Sequence, residues 1–125
     1  MKNLTDFFTE YGELHDAVLR DVSFCFLPSA IAPTIKVVLD CMSLLQDDAW
    51  VYLEMTFQKV HEFRLIATEQ MTPTVVESFA AERWGSKLIF DFAPNRVQPE
   101  GIAEHRDSYF YLVCDEFDFR EISLA

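Results

Sequence analysis

Any chemistry in this chain would have to come from three histidines and three cysteines set among many acids. Leu14-His15-Asp16-Ala17 puts an imidazole next to a carboxylate, a pair able to bind a metal or move a proton. A metal-dependent hydrolase of the His-Asp kind needs further His and Asp ligands on helices, which this sequence does not supply. Adjacent residues on a strand also point to opposite faces. His15 is therefore read as a buried imidazole that hydrogen bonds the corner after a helix, with Asp16 beside it. A small metal-dependent enzyme built on His15 and Asp16 is the alternative. His61-Glu62 and His105 are equally isolated and read as structural or exposed.

Cys25, Cys41 and Cys114 lie in apolar strand-like stretches without Cys-x-x-Cys or Cys/His ligand spacing. They read as buried or half-buried free thiols of a reducing compartment. No Ser stands in a Gly-x-Ser-x-Gly elbow, and no Gly-rich loop follows a strand, so esterase and nucleotide-binding readings lack their geometry. The reading is of a non-enzymatic protein with no metal and no cofactor.

Ten basic against twenty-one acidic residues give a net charge of −11. Such a field repels nucleic-acid phosphates and anionic lipid and favours encounter with basic proteins. The N-terminal stretch carries acids where a signal peptide needs an apolar run, and no apolar run is long enough for a membrane span. The expected compartment is the cytoplasm, and the expected partner is a basic protein, not nucleic acid or membrane. A homo-oligomeric structural domain is a further reading.

The elements that must position these residues are strands. Val51, Leu53, Met55 and Phe57 alternate with Tyr52, Glu54, Thr56 and Gln58, the period of a half-buried strand. The register changes after Phe57, which predicts a bulge or tight corner between Gln58 and His61. Residues 17–27 and 35–41 read as a hairpin whose turn is bracketed by Pro28 and Pro33. Within its first strand, Val18, Val22, Phe24 and Phe26 share one face, opposite Leu19, Asp21, Ser23 and Cys25. The Gln46-Asp47-Asp48 tip before the central strand is expected to be solvated.

Asn3 caps a short helix carrying Leu4, Phe7, Phe8 and Tyr11 on one face, and Gly12 ends it. Thr74 to Trp84 reads either as a strand turning at Gly85-Ser86 into Lys87–Phe92 or as a capped helix, and the hairpin is preferred. Ala93–Asp107 has loop composition and is long enough to be a functional loop. From Ser108 to Arg120 alternation returns, with Tyr109, Tyr111, Val113, Phe117 and Phe119 on one side. The first half of that strand is apolar on both faces, so it lies centrally.

This is one domain, residues 1–125, and mainly β. The architecture is an antiparallel β-sandwich or a strongly bent sheet of about seven strands with a short N-terminal helix. Asp40, Glu54, Glu116 and Asp118 fall on outward strand faces and form the candidate partner-binding surface.

The order of helix, Leu-His-Asp-Ala, hairpin, Val51-to-Val60 strand and a late strand containing Cys114-Asp115-Glu116-Phe117-Asp118-Phe119 resembles small bacterial domains of uncharacterised function, among them immunity proteins of polymorphic toxin systems. That resemblance implies a cytoplasmic, non-enzymatic protein that binds and neutralises a toxin. It carries no catalytic residues.

Overall fold

The computed structural model describes residues 3–26, 33–68, 74–94 and 99–123, so the turn expected between Pro28 and Pro33 falls largely outside them. Helix α1 (Leu4–Tyr11) begins where the Asn3 side chain accepts a hydrogen bond from the Asp6 amide at 2.8 Å, satisfying one of the free donors of the first turn. It ends at Gly12, whose φ of +59° suits a residue without a Cβ.

Seven strands follow: β1 (Ala17–Cys25), β2 (Thr34–Ser43), β3 (Ala49–Leu65), β4 (Val75–Val76), β5 (Ala80–Trp84), β6 (Lys87–Asp91) and β7 (Phe110–Ile122). A one-turn helix, α2 (Gly101–His105), interrupts the long loop before β7. The strands form one antiparallel sheet in the order β4-β1-β2-β3-β7-β6-β5, curled into a half-barrel. The strongly bent sheet is thus the form adopted, and a two-sheet sandwich is not.

The chain itself enforces the curl. β4 lies at one edge of the sheet and β5 at the other, yet only Glu77, Ser78 and Phe79 separate them. That connection spans at most roughly 14 Å even when fully extended, far less than a flat sheet of seven strands at about 4.8 Å spacing. The two edges must therefore approach each other. Phe79 fills the space inside, with ring centroids 5.7 Å from Phe7, 6.0 Å from Phe8 and 5.1 Å from Phe92. Thr74 to Trp84 is neither one strand nor a helix; it supplies both edges of the sheet. The Gly85-Ser86 turn joins β5 to β6, as expected, with Trp84 opposite Lys87.

β3 is the longest strand and pairs with both β2 and β7. The expected bulge is present: Lys59 has φ +55° and the β3–β7 register shifts between Val60 and Glu62. Phe57 and Val60, three residues apart, both face the core, and so do Cys114 and Phe117 on β7. Strict alternation had placed Phe110, Leu112 and Cys114 opposite Phe117 and Phe119; the bend brings all five to the inner face. A second shift, between Leu19 and Asp21 on β1, likewise turns Leu19 and Val22 to the same core.

The inner core is aromatic. Phe57 lies opposite Phe117 across the β3–β7 ladder, and the Phe90 ring stands 4.8 Å from each. α1 closes the concave side, with Phe7 5.3 Å from Phe119.

On the outer face a smaller cluster, Ile89, Tyr111 and Val113, is covered by Ile102 of α2. This second layer explains why the first half of β7 is apolar on both sides.

Truncating Phe57, which is fully buried between Phe90 and Phe117, is expected to cost about 3–5 kcal/mol through lost burial and the residual cavity. Urea denaturation of Phe57→Ala measures it.

Candidate functional site

The histidine expected to hold a corner does not do so. His15 is 73% exposed, with its Nε2 3.4 Å from Asp16, itself 65% exposed. The turn is fixed by buried Leu14 (φ +54°), by the Ala17 amide donating to the Leu14 carbonyl and by the Asp16 amide donating to Val76. The corner needs a left-handed backbone and a buried leucine, and the imidazole is left to solvent.

The buried polar site lies elsewhere, around His105, which sequence reasoning had set aside. Asp91 ends β6, His105 ends α2 and Ser108 precedes β7; all three are fully buried. Asp91 accepts from His105 Nδ1 at 2.7 Å, from the Ser108 hydroxyl and from the Ala93 amide at 3.1 Å. A carboxylate with three donors is satisfied although it is out of water. Across the imidazole, Nε2 makes no hydrogen bond and stands 3.5 Å from Glu82 Oε2. Glu82 Oε1 accepts from the Gly101 amide at 3.1 Å, so this one β5 carboxylate touches both ends of α2.

Burial opposes charge on His105, but the hydrogen bond and charge of Asp91, joined by Glu82, outweigh it and raise its pKa above 6.5. Although Ser, His and Asp meet here, the hydroxyl donates to the carboxylate and not to the imidazole. The three groups anchor a loop; they do not form a nucleophile relay.

A second polar group secures the other side of α2. Arg106 donates to Glu62 through Nη2 at 2.5 Å and Nε at 3.2 Å, and the Tyr111 hydroxyl donates to Glu62 at 3.1 Å. Arg64 donates to the Arg106 carbonyl. The Arg106 guanidinium holds the Glu62 carboxyl below its usual range. At the β3–β7 bend, His61 Nε2 lies 2.7 Å from Asp115 and Lys59 lies 3.8 Å from Glu116, all partly exposed.

Asp40, Glu54, Glu116 and Asp118 share the outer face of β2, β3 and β7. Most of its charge is matched, however. Arg20 pairs with Asp40, Arg120 with Glu54 at 3.0 Å and Lys59 with Glu116, while Asp118 accepts its neighbour Phe119's amide. A shallow depression on this face is lined by Lys36, Glu54, Thr56, Gln58, Asp118 and Arg120.

Among the described residues, acids gather without a paired Lys or Arg at the end of the sheet where α1 packs against the β2–β3 connection. Residues 3–19 and 37–58 contain no Lys or Arg. Tyr11 donates to Glu121 at 3.2 Å, and Gln46 donates to the same carboxylate at 2.6 Å, which ties α1, the connection and β7 together. Glu10, Glu13, Asp47 and Asp48 belong to this end, beside Leu45, 66% exposed, and Trp50, 55% exposed. Burial, with Glu121, Asp40 and Glu10 nearby, pushes the Cys41 thiol up to about 12. Tyr11 is raised by burial and by the same glutamates.

Cys114 is likewise buried and pushed up to about 12, chiefly by desolvation, but Cys25 is exposed, contrary to its expected burial. Among the described residues, no group of three His, Cys, Asp or Glu side chains is placed to hold a metal ion. No helix among them is long and apolar enough to cross a membrane. Comparison with known proteins finds no family model, curated protein or solved structure that matches the chain.

Three outcomes are expected. A thiol reagent should label Cys25 alone in the native protein and all three cysteines in denaturant, because the other two are buried and protonated. Asp91→Ala should cost about 3–5 kcal/mol by stranding buried His105 and Ser108. His15→Ala should change stability by less than about 0.5 kcal/mol; chemical denaturation measures both.

Proposed function

We propose that this protein is a non-catalytic binding module that docks a basic protein, in the manner of an immunity protein that neutralises a toxin by occupying it. The observation that carries this reading is the segregation of charge. Acids on the outer strand face hold cations from the same chain, whereas Glu10, Glu13, Asp47, Asp48 and Glu121 gather where neither α1 nor the β2–β3 connection contributes one. Unmatched charge projects a field that steers a basic partner, and exposed Leu45 and Trp50 in its midst are the kind of apolar anchors that carry binding energy once water is excluded. Asp40, Glu54, Glu116 and Asp118 run along the outer face from this end toward the β3–β7 bend and set the orientation of the partner, Asp40, Glu54 and Glu116 through exchange of their existing ion pairs. The resemblance to small bacterial domains of uncharacterised function, among them immunity proteins, is consistent with a partner that is a toxin.

The test is capture of the partner from the native host, followed by association kinetics at two ionic strengths. The association rate should fall with salt, since the Debye length shrinks from about 10 Å at 0.1 M to about 3 Å at 1 M. Lysine at Asp47 and Asp48 should slow association more than lysine at Glu116 and Asp118, and Trp50→Ala should cost about 2 kcal/mol or more of affinity, mostly as faster dissociation. A partner indifferent to salt and to all these changes would refute the proposed surface.

A further inference from the structure

The His105 site couples a titratable proton to the cover over an apolar surface. α2 lies on the outer face of the sheet, where Ile102 packs on Ile89, Tyr111 and Val113. Two sets of polar contacts hold it there. Around Arg106 the facing groups are Glu62 and Arg64 from β3 and Tyr111 from β7, with His61 of β3, itself 2.7 Å from Asp115, next to Glu62. Around the imidazole the facing groups are Asp91 from β6, Glu82 from β5 and Ser108 from the segment after α2. α2 itself adds Glu104, whose carboxylate accepts from the Glu100 amide.

The two ring nitrogens have different tasks. Nδ1–H donates to Asp91, and that bond survives in neutral imidazole. Nε2 is buried, makes no hydrogen bond and faces the Glu82 carboxylate at 3.5 Å. When protonated it presents a positive N–H to that carboxylate. When neutral it turns a lone pair that is itself shut off from water toward another acceptor, an unfavourable arrangement. Deprotonation sends the Nε2 proton to solvent and leaves Glu82, among the described residues, holding the Gly101 amide at the far end of α2.

We propose that His105 is a proton-operated clasp: its imidazolium, bridging Asp91 and Glu82, holds α2 down over Ile89, Tyr111 and Val113, and loss of the proton releases that cover. The direction follows from linkage. A histidine that holds its proton more tightly in the closed form stabilises that form fully below pH 6.5, and the contribution is lost as pH rises through the folded-state value. The clasp therefore loosens on the alkaline side. The Arg106 contacts keep α2 close enough to return.

The experiment combines an NMR titration of the His105 ring with amide hydrogen exchange at Arg106, Asp107 and Ser108, whose amides donate within this segment. After correction for intrinsic rates, protection should fall by up to about tenfold per pH unit between pH 6.5 and the ring's own titration point, then level off. The amides of β3 should keep theirs. Glu82→Gln, at a half-exposed position that leaves the Asp91 bonds intact, should lower the titration point and move the opening to lower pH with it. A ring that titrates below 6.5, protection independent of pH across that range, or β3 amides opening in parallel would each overturn the clasp. If Glu82→Gln does not fold, the wild-type titration and exchange decide the matter alone.

Discussion

The structure depends on the pairing of β3 with β7 through a bend that both strands make together. Phe57 opposite Phe117 fixes the ladder on one side of the bend, and Phe63 opposite Leu112 fixes it on the other. Between them Lys59 takes a left-handed backbone, so that Phe57 and Val60 both point inward. A straight pair of this length would turn alternate side chains out of a small curled core. The bend costs backbone strain at a residue with a Cβ, and burial of the aromatic cluster offsets it.

Curvature then decides the remainder. Because three residues join β4 to β5, the sheet closes far enough for Phe79 and α1 to complete one interior. The same curvature leaves a convex outer face, and the loop before β7 folds back over part of it as α2. The polar groups under α2 follow from this: a segment laid across a sheet face must find partners for its buried polar atoms, and Asp91 supplies one acceptor to three donors.

Charge is organised on the same scaffold. Neighbouring strands set Arg120 beside Glu54 and Arg20 beside Asp40, which neutralises much of the outer face. Among the described residues the α1 end has no such neighbours, because two long segments of sequence without cations are brought together there. A net charge of −11 is therefore expressed unevenly, and a basic protein meeting this molecule would be drawn toward one end of it.

Local pattern sufficed for a good deal. The two-residue period of Val51–Phe57, the break after it, the Asn3 cap, the Gly85-Ser86 turn and the outward parity of Asp40, Glu54, Glu116 and Asp118 within their own strands are all legible without coordinates, because each depends on neighbours a few residues away or on parity within a strand; that those strands are adjacent is not. Parity fails where backbone irregularities intervene, which is why Leu19 and Cys114 were assigned to the wrong face. His15 was misjudged because an adjacent acid looked like chemistry, while burial at that corner belongs to Leu14. His105 lay in a stretch of loop composition, and nothing local distinguishes it. Its partners Asp91 and Glu82 come from two other strands, and only the curl of the sheet and the return of α2 bring the three together. The sequence alone determined a mainly β domain with its strands and an acidic balance. Which acids are neutralised, which histidine is buried and what covers the outer face were settled by tertiary structure, since each depends on contacts between residues distant along the chain.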